Sequence, residues 1–238
     1  MSNDEFEISH YINEKKLLES LDSKDFIENI SEIGFRCDMC ARCCTGAQND
    51  HVFLLEDDTD RILKIDENSI YPSPLLDFSD QFGNFYVAGY ALKTSENDEK
   101  SCIFLNSENR CKIYDKRPLI CQVYPYMVFR EPDSKGKIDW RYFAGLGDHG
   151  CYNLYLSEEE LKEIWDITIK YEIDYLNHEI NFRKYIKEYF ENNNLNFVKR
   201  KHAEFVRKYN SKKNKNRDVS EEPIIYVYHR NKFEKYIE

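Results

Sequence analysis

The sequence predicts an α+β fold: a small cysteine-rich domain of short strands and hairpins, flanked by N- and C-terminal helices. Three observations carry this. All eight cysteines fall between Cys37 and Cys151. Inside that stretch the apolar runs are short, β-rich and set off by glycines and polar turns. Outside it the apolar residues recur at helical spacing. With 238 residues the chain is long enough for one good core plus a helical appendage. It carries 18 Tyr and 15 Phe, so much of that core is expected to be built from rings.

Residues 1–33 form an acidic helical segment, with Tyr11/Ile12, Leu17/Leu18, Leu21 and Phe26/Ile27/Ile30 in register. Asp22 or Ser23 caps a second short helix, which Gly34 ends. Residues 34–155 are the cysteine domain. There "HVFLLEDDTDRILKI" reads as a short strand and then a helix capped by Asp57 or Asp58, with Ile62, Leu63 and Ile65 on its apolar side. "GNFYVAGYALK" is β-rich, and "SCIFLNSENRCKIY" reads as a β-hairpin around a polar turn. Pro118 suits the first turn of a short helix that Pro125 stops. "FREPDSKGKIDWRYF" reads as a further hairpin.

Residues 156–210 are a helical extension. Ser157 and Glu160 make a capping box, and Leu161, Ile164, Trp165, Thr168, Tyr175 and Leu176 mark one face. "ENNN" at 191–194 interrupts the helix, and 195–209 form another. Residues 211–238 are a basic linker followed by a terminal strand, "IIYVYH" at 224–229.

The formal net charge is −10, which disfavours a nucleic-acid duplex or an anionic membrane as the main partner. The start, "MSNDEFEISHYINEKK", has neither a basic n-region nor an apolar h-region. No apolar run reaches about 18 residues, so no spanning helix is predicted. The expectation is a cytoplasmic protein, whose thiols stay reduced.

That bears on "CDMCARCC" at 37–44, four thiols in eight positions. Disulfides fit poorly with adjacent cysteines in a reducing compartment. A thioredoxin-like pair lacks its βαβ frame here. Thiolate ligation of a soft or borderline metal fits best. Cys37-x-x-Cys40-x-x-Cys43 repeats the ferredoxin spacing for three ligands of one [4Fe–4S] cluster, the fourth coming from far away. Were the segment helical, Cys37, Cys40 and Cys44 would lie within roughly 60° of each other instead. Either geometry aims three sulfurs at one centre and diverts one. Cys102, Cys111, Cys121 and Cys151 are the distant partners, enough for one cluster with spare thiols or for two four-thiolate sites. The cofactor is thus an iron–sulfur cluster or zinc.

Other residues near the cysteines are weighed more plainly. Arg117 can neutralise a thiolate-rich cluster, but a structural ion pair with Asp115 or another acid is favoured slightly. Tyr114, Tyr124 and Tyr126 are expected to form a shell that limits solvent. His149 and His51 are loop histidines, which are seldom ligands. The basic stretch at 199–217 reads as a solvated helix face and linker. The "EDDTD" run reads as helix capping rather than a hard-cation site.

"CDMCARCC" followed by "CIFLNSENRCKIYDKRPLICQVYPY" resembles the YkgJ-type cysteine-cluster family, a zinc- or iron-chelating domain named for C-x-x-C-x-x-C-C. Cys102, Phe104, Leu105, Cys111, Ile113, Tyr114, Arg117, Pro118, Cys121, Tyr124 and Pro125 match the second motif of that family. The resemblance covers about residues 37–151. Ala41 stands where the family often has Gly, and Gln122 where it has Arg. The resemblance implies a metal-binding module whose partners are the metal ion or cluster and, beyond it, a protein. Flagellin lysine-N-methylases resemble it in the cysteine motif, so an iron–sulfur-dependent group-transfer enzyme is the alternative. No G-x-G-type cofactor loop accompanies it.

Overall fold

The computed structural model describes residues 6–46, 50–97, 99–126, 128–132, 138–141, 150–213 and 222–237. Its elements run α1 (Ile8–Glu19), α2 (Ser23–Ile33), β1 (Phe53–Leu54), α3 (Glu56–Leu63), β2 (Ile70–Pro72), β3 (Phe78–Ser79), β4 (Phe85–Val87), β5 (Tyr90–Leu92), α4 (Leu119–Val123), β6 (Phe129–Pro132), β7 (Ile138–Arg141), α5 (Glu158–Asn192), α6 (Lys199–Lys213), β8 (Ile225–His229) and β9 (Lys232–Lys235). The class is α+β, with helices at both ends as the sequence predicts.

Helix α5 is the spine. The Ser157/Glu160 capping box satisfies orphan N–H groups at its start, and Asn193 ends it. Eight of its twelve buried residues, Leu161, Thr168, Glu172, Leu176, Glu179, Arg183, Ile186 and Phe190, advance in steps of three, four or seven and form one inward stripe, which Tyr171, His178, Ile180 and Phe182 widen. The first half of the stripe packs with α1 and α2 through Leu18, Phe26, Ile30 and Leu176. The second half meets a ring cluster of Phe6, Phe78, Tyr86, Phe182, Phe190 and Tyr228. At roughly 1.5–3 kcal/mol per buried large side chain, these rings supply much of the stability.

Three small sheets complete the fold. β5 lies between β1 and β2, antiparallel to both. The second sheet has the order β3-β4-β8-β9, with β8 parallel to β4 and Tyr86 opposite Tyr226. The third is the β6/β7 hairpin, read from the sequence as such. A third cluster, Leu54, Ile62, Val87, Phe104, Ile113 and Val227, lies under the cysteine loops, with Cys102 and Cys111 packed on it.

Several details differ from the sequence reading. Residues 101–114 are not a two-stranded hairpin. A lone bridge, Leu105 to Cys111, closes a turn in which the Asn106 carboxamide oxygen accepts the N–H groups of Glu108 and Arg110. The neighbouring residues bond to other segments instead, Cys102 to Thr94 and Ser101 to Thr45. Helix α3 is not capped by Asp57 or Asp58, because its N-cap is Leu55 and both aspartates lie in its first turn. Pro118 is the N-cap of α4 rather than its first helical residue. Helix α6 starts four residues later than read, and β9 was not foreseen. Residues 214–221 of the linker and His149 lie outside the described residues. Among those described, no helix is long and apolar enough to cross a membrane.

One buried polar knot ties α1 to α5. Arg183 donates to the Tyr11 hydroxyl at 2.9 Å and pairs with Glu179 at 3.3 Å. Asp77 accepts the Ala88 N–H at 2.9 Å nearby. Burial pushes Glu179 up from 4.5 to about 7, against the pull of Arg183. Glu179 therefore holds a proton in the fold that the unfolded chain sheds, so stability falls as pH rises from about 4.5 to 7. Glu179→Gln is expected to flatten the dependence of Tm on pH between 5 and 7.5. An unchanged slope would show that Glu179 does not carry it.

Candidate metal centre

Gly34 and Gly150 bring the first cysteines beside the loop of Cys151. Arg36 and Cys151 exchange both backbone hydrogen bonds at 2.9 Å. Met39 and Ala41 then take left-handed φ values of 59° and 63°. The Asp38 carboxylate accepts the Cys40 N–H at 3.0 Å, and Cys37 Sγ accepts the Met39 N–H at 3.3 Å. Residues 37–41 are thus a run of tight turns, leading into one 3₁₀ turn at Arg42–Cys44. Of the two geometries open from sequence, the turn and not the helix is adopted.

The distant cysteines come to the first cluster through backbone pairing. Cys102 donates its N–H to the Cys44 carbonyl at 2.8 Å. The Leu105–Cys111 bridge turns Cys111 back towards the same side, and α4 delivers Cys121. Cys37, Cys40, Cys43, Cys44, Cys102, Cys111 and Cys121 all line one cavity of about 310 Å³. Its remaining wall is largely apolar, with Phe35, Leu92, Phe104, Ile113 and Ile120. Cys151 is exposed and does not line the cavity, although Gly150 does.

The sulfurs ring this volume and do not converge on a point. Cys43 Sγ and Cys44 Sγ are 3.9 Å apart. Among the described residues, no three Cys, His, Asp or Glu side chains are grouped closely enough to hold a single ion. Burial raises the Cys37, Cys102 and Cys121 thiols. The hydrogen bond between Cys43 and Cys44 lowers the first and raises the second. A metal entering here must displace most of these protons, so loading releases acid. The donor set itself fits a metal: seven soft sulfurs in a space at the low end of small-ligand pockets, roughly 300–1,000 Å³.

Arg117, Tyr114 and Tyr124 also line the cavity. Arg117 makes no ion pair with Asp115, which corrects the slight preference for that pair. Its guanidinium lies 4.0 Å from the centroid of the Tyr114 ring and donates to the carbonyls of Tyr114 at 3.0 Å and Cys121 at 3.3 Å. No carboxylate among the described residues neutralises it, and its charge favours the thiolates of Cys37 and Cys43. Burial, with the cysteines beside it, raises the Tyr124 hydroxyl, so that group stays neutral. Tyr126, expected in the same shell, is not among the residues that line the cavity; its hydroxyl accepts the Phe35 N–H at 2.9 Å.

Met39 and Asp38 line the cavity without having been singled out in the sequence, and His51, weighed there and set aside as a ligand, lines it too. Met39 sits at the cavity with its sulfur taking a contact from Arg110. Asp38 caps its own turn. His51 lines the cavity with Nδ1 3.4 Å from Asp50, a position the doubt about loop histidines had set aside. The signal for all three was their sequence proximity to the cysteines.

Residues 36–143 match the CxxCxxCC family, described as "Putative zinc- or iron-chelating domain". No solved structure matches the chain.

Proposed function

We propose, from the match of residues 36–143 to the CxxCxxCC family model and from the cavity, that the chain holds a polynuclear thiolate metal centre, an iron–sulfur cluster in the first instance. One observation carries this reading: seven cysteines line one cavity. A single structural zinc takes four ligands. Seven thiols exceed that number, and they surround a volume rather than a point. The turn geometry of Cys37, Cys40 and Cys43 supports the cluster reading further, because ferredoxin-type spacing works through such turns.

In this reading the ligands come from Cys37, Cys40, Cys43, Cys44, Cys102, Cys111 and Cys121, with Cys151 at the rim. Arg117 offsets the negative charge of the thiolates. Tyr114 and Tyr124 cover the centre, and the apolar wall limits water, which tunes the centre passively. The protein acts as a cytoplasmic metal-binding module. No observation among the described residues favours methyl transfer over this.

The test is iron, zinc and acid-labile sulfide per chain on protein purified without oxygen, with a visible spectrum. About four iron and four sulfide per chain supports a [4Fe–4S] centre. Colourless protein with about one or two zinc per chain replaces the cluster with a structural thiolate site.

A further inference from the structure

Helix α4 has five residues, and its N-cap, Pro118, offers no side-chain cap. A helix this short does not hold itself, and its first N–H groups need partners. Yet it carries Cys121, which must be aimed at the cavity. The partner comes from another helix. Asp58 of α3 is 3% exposed, and its Oδ2 accepts the Leu119 N–H at 2.9 Å. Its Oδ1 pairs with Arg61. Arg61 in turn donates to the Lys116 carbonyl from Nε and to the Arg117 carbonyl from Nη2, each at 3.1 Å.

We propose that Asp58 and Arg61 are positioning residues of the metal centre, clamping the Lys116–Leu119 backbone so that Cys121 and the Arg117 guanidinium face the cysteine cavity. The inference rests on the ligation reading above. The two charges grip opposite signs of one turn, the carboxylate its N–H and the guanidinium its carbonyls. An apolar pair in their place would leave the Leu119 N–H and the two carbonyls without these partners. Lysine cannot reproduce the two-carbonyl fork of Arg61. The clamp has a firm base, since Arg230 in the β8–β9 turn pairs with Asp57 and Asp60 on the outer side of α3. Gln122 adds a third hold, donating to the Arg117 carbonyl at 2.8 Å.

The test uses full-length protein purified with its metal, as wild type, Arg61→Lys, Asp58→Asn and Asp58→Ala. Cysteines are alkylated with the metal in place and mapped by mass spectrometry, and metal release to a chelator is timed. In wild type the cavity cysteines are protected. In Arg61→Lys and Asp58→Ala, with unchanged far-UV circular dichroism, Cys121 becomes reactive while Cys37, Cys40 and Cys43 stay protected. Metal leaves about 10- to 100-fold faster, the usual cost of losing an outer-shell partner. Asp58→Asn keeps an acceptor for Leu119 and shows the smaller effect. Wild-type protection and release in folded variants would overturn the proposal. Equal loss of protection at every cysteine would overturn it too, by showing a general loss of fold. Metal-bound wild type with no protected cysteine would sink the ligation reading itself, and the clamp with it.

Discussion

Stripping the metal from reduced protein is expected to unfold the cysteine loops and leave α5 standing. Thiolate zinc sites in small domains bind with roughly 10–16 kcal/mol of apparent free energy. That equals or exceeds the roughly 5–15 kcal/mol that holds a whole domain. Without metal, residues 37–43 are held mainly by their own turns, since the backbone pairings of this stretch to other segments fall at Cys44–Gly46. Residues 37–46 contain two non-glycine residues at positive φ, and four of the thiols that line the cavity. Helix α5 differs because none of the three core clusters it joins contains a cysteine. Hydrogen exchange should therefore rise across 37–46 and 101–123 on chelation, while amides in the middle of α5 keep their protection. Loss of protection across α5 at the same chelator concentration would mean that the metal holds the whole fold as one cooperative unit. No change in either region would mean that the loops fold without metal.

Gly34→Ala is expected to cost about 2–3 kcal/mol, the range for forced backbone strain. Gly34 has φ +52°, and an added Cβ would meet the Leu154 carbonyl oxygen at 2.2 Å and its nitrogen at 2.6 Å. Both are backbone atoms, so no side chain can swing aside. Leu154 also donates its N–H to the Gly34 carbonyl at 3.0 Å, so the clash breaks a pairing on each side. That pairing brings Arg36 to Cys151 and sets the start of the Cys37 turn. For a chain of this length the loss corresponds to a fall in Tm of roughly 4–12 °C. A change below about 0.5 kcal/mol, the size of an ordinary surface substitution, would show that the 34/154 contact is loose in solution.

Local signals in the sequence were read well because their physics is local. The Ser157/Glu160 capping box, the Asp22 cap and the Gly34 stop each depend on residues within four positions. The long face of α5 was legible for the same reason. What stayed hidden depends on distant partners. "EDDTD" has the composition of a helix N-terminus, and Glu56 and Asp57 sit there. Nothing in those five letters says that Asp58 turns inward to cap a helix 61 residues later. Arg117 next to acidic neighbours invited a local ion pair, but its guanidinium folds back over Tyr114. "CIFLNSENRCKIY" has strand-like residues, yet Cys102 and Ser101 take their partners from segments near 44 and 94, so no ladder forms. β8 was visible as a strand, but its parallel place beside β4 was not, because a six-residue run carries no address.

The cysteine cluster lies between these cases. Its spacing pointed to ligation, and residues 37–41 do run through tight turns. Which distant thiols reach the cavity is set by tertiary pairing: Cys102 through Cys44, Cys121 through α4. The exposed position of Cys151 could not be read from "GDHGC", where glycine freedom suggested approach rather than distance.

X-ray absorption at the edge of the metal that copurifies with the full-length protein tests the central claim most directly, because it counts the atoms around that metal. Thiolate ligation predicts a first shell of sulfur at about 2.3 Å. A first shell of nitrogen and oxygen at about 2.0–2.2 Å with no sulfur would contradict it, and the cysteines would then need another use.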